Sequence, residues 1–453
     1  MSRDLFSGFD SVSSKQWKQK IQFDLKGEDY NSTLIWKTIE GINVKPFYHA
    51  DEFNELPEVS DTKATSWNIV QSIFVADVYK SNLKAISAIE NGVESIHFII
   101  PSEYIIIEDL VKNITLDTTY IYFELRFLSE VFISKLNHLL PCAKINIDSI
   151  GHLAQTGNWF KNLNADFTTF KNIFKTTALL NVNGGLYQNA GANIVQQIAY
   201  SLAHANEYLN VLDGSESKLQ PLNITFHISV GTNYFFEIAK LRALRKLWKT
   251  LALEYHINTN CDIIVTPTKR NKTLYDYNTN LLRTTTECMS AILGGANAIC
   301  NLPYDYIYHK SNDFSERISR NQLLILKYES YFDKVNNPSD GSYYIESLTH
   351  QLSKKALALF KNIEANGGFL KQLKSGLIQR KIKENAILEQ QQFDKGDIVL
   401  LGTNTYPNPN DNMKHNLELY PFFKTKPRKT LIEPIVEKRL SEHLEQKRLK
   451  NEH

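Results

Sequence analysis

Between residues 67 and 302 the chain alternates two hydrophobic patterns. Short runs rich in β-branched and aromatic residues recur, each followed by a longer stretch with apolar positions at helical spacing. The short runs are 67–75 (WNIVQSIFV), 95–100 (SIHFII), 119–125 (TYIYFEL), 143–147 (AKINI), 176–182 (TTALLNV), 223–230 (NITFHISV), 261–265 (CDIIV) and 296–302 (ANAICNL). Helices are predicted over 78–91, 151–173, 193–211, 232–256 and 274–293. In the helix after the sixth run, Ile238, Leu241, Leu244, Leu247, Trp248 and Leu251 form one apolar stripe. Near-continuous apolar strands suit a parallel sheet covered on both faces. Eight βα units in succession are what an α/β fold of the (β/α)8 TIM-barrel type requires. The rival is an open doubly wound sheet, which carries a Gly-rich phosphate turn after its first strand. Here Ala76-Asp77-Val78 follows the first run, with no G-x-G-x-x-G. A barrel is the expected fold.

The ends look different. Residues 1–60 are polar and hold no βα unit. Residues 312–400 read mostly as helix, broken by the turn Asn337-Pro338-Ser339-Asp340-Gly341, and 402–416 read as loop. From Lys424 to His453 there are nine Lys and Arg against five Asp and Glu. That mixed charge reads as a solvated terminal helix in preference to an interaction tail.

With 453 residues, 42% of them hydrophobic and 22% charged, wholesale disorder and fibrous classes are excluded. A net charge of +2 gives no nucleic-acid or membrane partner that bulk electrostatics would find. Cys142, Cys261, Cys288 and Cys300 show no C-x-x-C spacing, against a zinc knuckle or redox pair. No apolar leader and no long apolar span is visible, so a cytoplasmic, reducing setting is expected.

In a barrel, chemistry sits at the C-terminal ends of the strands. Those ends are Asp77, Asn181 to Tyr187, His227, Ser229, Thr266 to Thr268, and Asn301. His227 alternates with Phe226 and Ile228, and His97 lies mid-strand. A lone strand histidine is more often a hydrogen-bonded core group than a catalyst. Asn183-Gly184-Gly185 supplies backbone freedom after the fifth strand, as any tight βα loop needs. Cys261 and Cys300 read as small buried hydrophobes. Without H-E-x-x-H, G-x-S-x-G or a phosphate-cradling loop, the residues alone give a barrel with no catalytic constellation and no metal site.

Longer strings add to this: 187–209 (YQNAGANIVQQIAYSLAHANEYL), 231–248 (GTNYFFEIAKLRALRKLW), 283–298 (RTTTECMSAILGGANA), 313–324 (DFSERISRNQLL), 337–346 (NPSDGSYYIE) and 433–440 (EPIVEKRL). From about residue 20 to 445, and in the same order, they closely resemble the barrel of the methylmalonyl-CoA mutase family. The small (beta) subunits of its heterodimeric members are the nearest pattern. The resemblance implies a radical rearrangement between (R)-methylmalonyl-CoA and succinyl-CoA, for which adenosylcobalamin supplies the radical. In the family's large (alpha) subunits, CoA threads the barrel axis and a separate C-terminal domain carries the cobalt-binding Asp-x-His-x-x-Gly.

The large-subunit stretch after strand five is Ser-Gly-Tyr-His-Met-Gln-Glu-Ala-Gly-Ala, with a catalytic His. Here Asn183 to Ala192 aligns with it, and the His position holds Leu186. Leucine has no donor with which to polarise a thioester carbonyl. After strand seven, Thr-His-Ser-Gln-Thr-Ser-Gly-Trp is replaced by a stretch beginning Val265-Thr266-Pro267-Thr268-Lys269-Arg270. The loop with the substrate-binding Arg has no counterpart, and none of the twelve histidines lies in Asp-x-His-x-x-Gly. The strand-end positions matching the family pocket are Gly185, Leu186, Tyr187, Gln188, Thr266 and Lys269.

The resemblance therefore implies a small, non-catalytic subunit with no catalytic or metal-binding residue. It works beside a large subunit that holds adenosylcobalamin and the acyl-CoA. Residues 1–60 are then a subunit-contact arm, 61–400 the barrel with its following helices, and 401–453 a loop and charged tail ending in a truncated linker, with no cobalamin domain. The first 40 residues and the helix at 232–256 are the expected contact elements, since obligate pairs bury large surfaces. The alternative is an independent acyl-CoA mutase barrel served by a separate cobalamin-binding chain, which should have kept its His. A chaperone-like partner without CoA chemistry is a weaker third reading.

Overall fold

The computed structural model describes residues 7–53, 59–60, 62–213, 222–424 and 428–452. Eight parallel strands form the barrel: β1 (Asn68–Phe74), β2 (Ser95–Ile100), β3 (Tyr120–Leu125), β4 (Lys144–Asn146), β5 (Leu179–Asn183), β6 (Asn223–Val230), β7 (Cys261–Pro267) and β8 (Ala298–Cys300). Around the wall they run β4-β3-β2-β1-β8-β7-β6-β5. No ladder joins β4 to β5, so the barrel is nearly closed. Side chains finish that seam: Asn181 Nδ2 donates to the Ile145 carbonyl at 2.8 Å, and the Asn183 N–H donates to Asp148 at 2.8 Å.

The eight predicted strands are all present; two keep the predicted bounds, Cys261–Pro267 runs two residues further, and the others shift or shorten by a few residues at their ends. Thr176 and Thr177 stay in the preceding helix, Leu163–Thr177, and Ala178 turns the chain at φ 53°, so β5 starts at Leu179. The helix predicted over 151–173 is two, Ser149–Thr156 and Leu163–Thr177. Gly157 at φ 80° ends the first, and the Asn162 side chain caps the second.

The main core lies between the strands and the helices. Helix α1 (Tyr234–Glu254) follows β6 and turns Ile238, Leu241, Leu244, Leu247 and Trp248 onto the barrel wall, where all are buried. Trp248 meets Phe226 edge-on at 5.7 Å, and Phe98 stacks on Phe123 at 5.8 Å. The stripe predicted for this helix is thus taken up by its own barrel.

The N-terminal helix Ser14–Asp24 buries no residue, and Trp17 and Phe23 stand exposed on it. Tyr48 against Tyr344 and Phe53 against Tyr343 hold the following segment to the helix Tyr343–Ala365. Among the described residues the charged tail is helical only over Glu442–Lys450, and it is docked instead of solvated. Arg439 pairs with Glu445 at 2.6 Å and donates to the Lys272 carbonyl, with both side chains buried. The tail's charges therefore serve as a clamp on the loop after β7. Among the described residues no helix is long and apolar enough to cross a membrane.

Candidate functional site

The chain leaves β5 through Gly184 and Gly185 into a helical turn, Gly185–Asn189. A Cβ at Gly184 would lie 2.4 Å from Ser201 Oγ, and one at Gly185 would lie 2.8 Å from Ser229 Oγ, so only glycine lets the turn press against β6. That tight turn directs the next three side chains inward. Leu186 is 1% exposed and joins the main core. The Tyr187 hydroxyl meets His204 Nδ1 at 2.9 Å. Gln188 accepts from the buried Lys240 at 3.2 Å, beside the Lys240–Glu237 ion pair. Burial pushes the Lys240 ammonium down, and Glu237 opposes that. Of the six positions matched from sequence, Gly185, Thr266 and Lys269 line the barrel mouth, while Leu186, Tyr187 and Gln188 do not. Lys269 Nζ pairs with Glu437 at 2.9 Å. Burial alone would lower this lysine, but Tyr306 and Glu437 raise it.

The axis carries more chemistry than the sequence pattern suggests. His97 from β2 and His227 from β6 face each other with ring centroids 6.3 Å apart. His97 Nε2 lies 3.4 Å from Glu124 on β3, in a geometry that makes no hydrogen bond, and the Nε2 atoms of both rings are buried without partners. Arg126 holds Glu124 at 2.8 Å. Burial would raise the Glu124 carboxyl, but His97, Arg126 and His227 hold it below the usual range. Burial lowers both imidazoles, His227 to about 4. These two histidines are therefore lumen groups, not the satisfied core residues expected. The signal was present in TYIYFEL, whose polar residues recur every second position and place Glu124 inward at a strand end.

Below that layer the lumen is filled. Val70, Tyr122, Ile264, Ala298 and Cys300 form a separate apolar cluster, with none more than 8% exposed. Below it, Lys144 on β4 reaches Asp262 on β7 at 3.2 Å, across the N-terminal opening.

Asp148, just past β4, was not singled out from sequence. It accepts from Tyr208 at 2.8 Å, from the Gly151 N–H at 2.7 Å and from His204 Nε2 at 2.9 Å. Burial pushes its carboxyl up, but His204 and the Asn183 and Gly151 N–H groups bring it below the usual range. Together with Asn183 this cluster locks the unladdered seam.

A strap over residues 431–440 is bonded along the rim. Its N–H groups donate to Gly157, Ala154, Asn189 and Arg270 carbonyls, at the loops after β4, β5 and β7. Two cavities open at this end. One of about 200 Å³ is lined by His97, Glu124, Arg126, His227 and Lys269. A cleft of about 1460 Å³ runs from there between the rim at β1 and β8 and the segment 419–424.

A sequence profile described as Methylmalonyl-CoA mutase matches residues 145–450. The chain is 36% identical over 445 residues to the methylmalonyl-CoA mutase small subunit of Porphyromonas gingivalis, covering 89% of this chain and 71% of that one. It is 25% identical to the small subunit of Streptomyces virginiae, covering 89% and 72%. The large subunit from Porphyromonas gingivalis matches at 33% identity over 53% of this chain and 34% of its own length. The chain spans only about a third of the single-name mutases it matches, such as that of Rhizobium meliloti (33%).

Proposed function

This chain belongs to the methylmalonyl-CoA mutase family, and we propose that it is the small, non-catalytic subunit of a heterodimeric, adenosylcobalamin-dependent member. In this reading it supports a catalytic large subunit that interconverts (R)-methylmalonyl-CoA and succinyl-CoA. One observation carries it: at the position matching the family's catalytic His stands Leu186, which is packed into the core and lines neither of the two cavities described. The filled lumen points the same way, since a threaded acyl-CoA would have to displace Tyr122, Ile264 and Val70.

Adenosylcobalamin supplies the radical when bound, and we assign it to the large subunit. This barrel mouth is a poor fit for a corrin. The strap occupies the rim over β4, β5 and β7, and the axial imidazoles His97 and His227 lie down inside the strands with their nitrogens buried. The exposed apolar residues of the N-terminal helix suit a contact arm to the partner, and deleting residues 1–40 should weaken the pair. Residues 1–6 and 54–58 of that arm lie outside the described residues. The four free thiols suit a cytoplasmic setting.

One observation favours the second reading, an independent acyl-CoA mutase barrel with a separate cobalamin-binding chain: titratable groups do meet on the axis. An assay with methylmalonyl-CoA and adenosylcobalamin separates the two. We expect no turnover from this chain alone, and turnover once a large subunit binds it one to one. Turnover by this chain with only a free cobalamin-binding domain added would establish the second reading.

A further inference from the structure

We propose that the outer lips of the cleft, between the segment 419–424 and the rim at β1 and β8, are a docking surface for an acidic segment of a partner protein. Apolar side chains of that segment would seat among the aromatic residues of the lips. This surface goes beyond the subunit role and does not depend on it.

Four aromatic side chains stand along the lips: Phe74 at the end of β1, Tyr306 after β8, and Tyr420 and Phe423 on the facing segment. Each is 43–58% exposed. A single exposed ring is ordinary, but four around one cleft form a patch of the kind that marks an interaction site. The facing segment is fixed in place. Phe422 is buried among Leu274, Tyr275, Tyr308 and Met413, the Leu419 N–H donates to the Tyr308 carbonyl at 2.8 Å, and the Phe423 N–H donates to Glu442 at 3.3 Å. Rings held by an ordered backbone lose little freedom when a partner arrives.

Charge selects the occupant. The cleft is lined by nine Lys and Arg against six Asp and Glu, a surplus greater than the net +2 of the whole chain. The six carboxylates are already engaged. Glu124 pairs with Arg126, Glu437 with Lys269 and Glu316 with Lys84. Asp77 caps the helix Val78–Glu90, Asp305 accepts from Asn312, and Glu442 accepts from the Arg439 and Phe423 N–H groups. Lys80, Lys310, Lys424 and Lys438 are exposed, and among the described residues none of them pairs with a carboxylate. Lys424 lies over the Tyr420 ring at 4.4 Å, so cation and ring share one lip. Acidic side chains would complete this set, and apolar ones would cover the rings.

Other occupants match less well. The cleft's volume of about 1460 Å³ exceeds the roughly 300–1,000 Å³ of small-molecule pockets. A nucleic acid asks for a strongly basic face, which four unpaired lysines do not make. A second copy docking face to face would set the same lysines against each other.

Fluorescence anisotropy of the full chain tests this with three labelled probes: an Asp- and Glu-rich peptide carrying two Phe, the same peptide with Lys for each acid, and oligo(dT). We expect saturable one-to-one binding of the acidic peptide alone, weakened several-fold between about 50 mM and about 300 mM salt. Tyr420→Ser and the double variant Lys310→Glu with Lys424→Glu should each weaken it about fivefold or more. Lys80→Glu, on the opposite lip, gives an independent check if the segment 419–424 tolerates no change. Equal binding of the Lys peptide or of oligo(dT), affinity that none of these variants lowers, or no binding of the acidic peptide would each overturn the proposal. Self-association in sedimentation that Tyr420→Ser abolishes would also overturn it, by giving the surface to a second copy.

Discussion

The shell between strands and helices and the lumen inside the strands are built by opposite rules. In the shell, Phe98, Phe123, Phe226, Leu241 and Trp248 are all completely buried and meet in ring and aliphatic contacts. In the lumen, the apolar layer is made of only five residues, with an acid–base layer above it and an ion pair below. A packed TIM barrel fills its interior with bulky branched side chains. Here stability comes from the shell, while the lumen retains polar groups that a purely structural core would not need.

The largest effect should come from the shell. Trp248→Ala removes the side chain that seats the helix after β6 on Phe226, and should cost about 3–5 kcal/mol in urea unfolding. A loss under about 1 kcal/mol would show that the shell is not the principal core.

The seam comes next. Asp148→Ala leaves His204, Tyr208 and the Asn183 N–H without their acceptor, a loss of roughly 3 kcal/mol for breaking a buried pair from one side. The sign with pH follows from the lowered carboxyl. The native pKa lies below the unfolded one, so this stabilisation is present above the unfolded carboxylate value. It fades as pH falls through the native value. As pH falls below about 4, the gap in unfolding free energy between wild type and Asp148→Ala should narrow. A constant gap down to pH 2–3 would mean that the carboxylate's charge is not what locks the seam.

His227 works in the other direction. Its folded value of about 4 lies below that of an unfolded histidine, so the unfolded chain binds the proton first and stability falls as pH drops from about 6.5 towards 4. His227→Gln should remove about 2–3 kcal/mol of that acid dependence. An acid limb identical to wild type in the variant would place His227 in a solvated environment, contrary to its buried ring nitrogen.

The smallest effect is expected at the lumen floor. Lys144→Met breaks a pair whose side chains are 32% and 43% exposed, so the cost should stay below about 1 kcal/mol. A larger loss would give that crossing pair a structural role its exposure does not support.

The sequence reported the shell well and the lumen poorly, for one physical reason. Shell strands are read as continuous apolar runs because their outward residues are large, and WNIVQSIFV or NITFHISV announces a strand at once. Inward residues carry only a period-two signal, and no neighbour in sequence says which polar residue meets which. Thus Glu124, Arg126 and Asp148 went unnoticed, and His97 and His227 passed as ordinary core. Leu186 was legible through its resemblance, but its burial was not. That depends on Gly184 and Gly185 pressing against Ser201 and Ser229, which lie far along the chain. The docked tail was misread because its balance of charges looks the same whether water or a buried partner satisfies them.

The most direct test of a barrel that assembles without binding substrate is calorimetric titration of the full chain, free of partner, with methylmalonyl-CoA. With Leu186 in the core and Tyr122, Ile264 and Val70 filling the axis, no stoichiometric binding should be seen. Saturable one-to-one binding that is lost when the lumen residue Val70 is enlarged to Phe would contradict this, and would make the axis a working acyl-CoA channel.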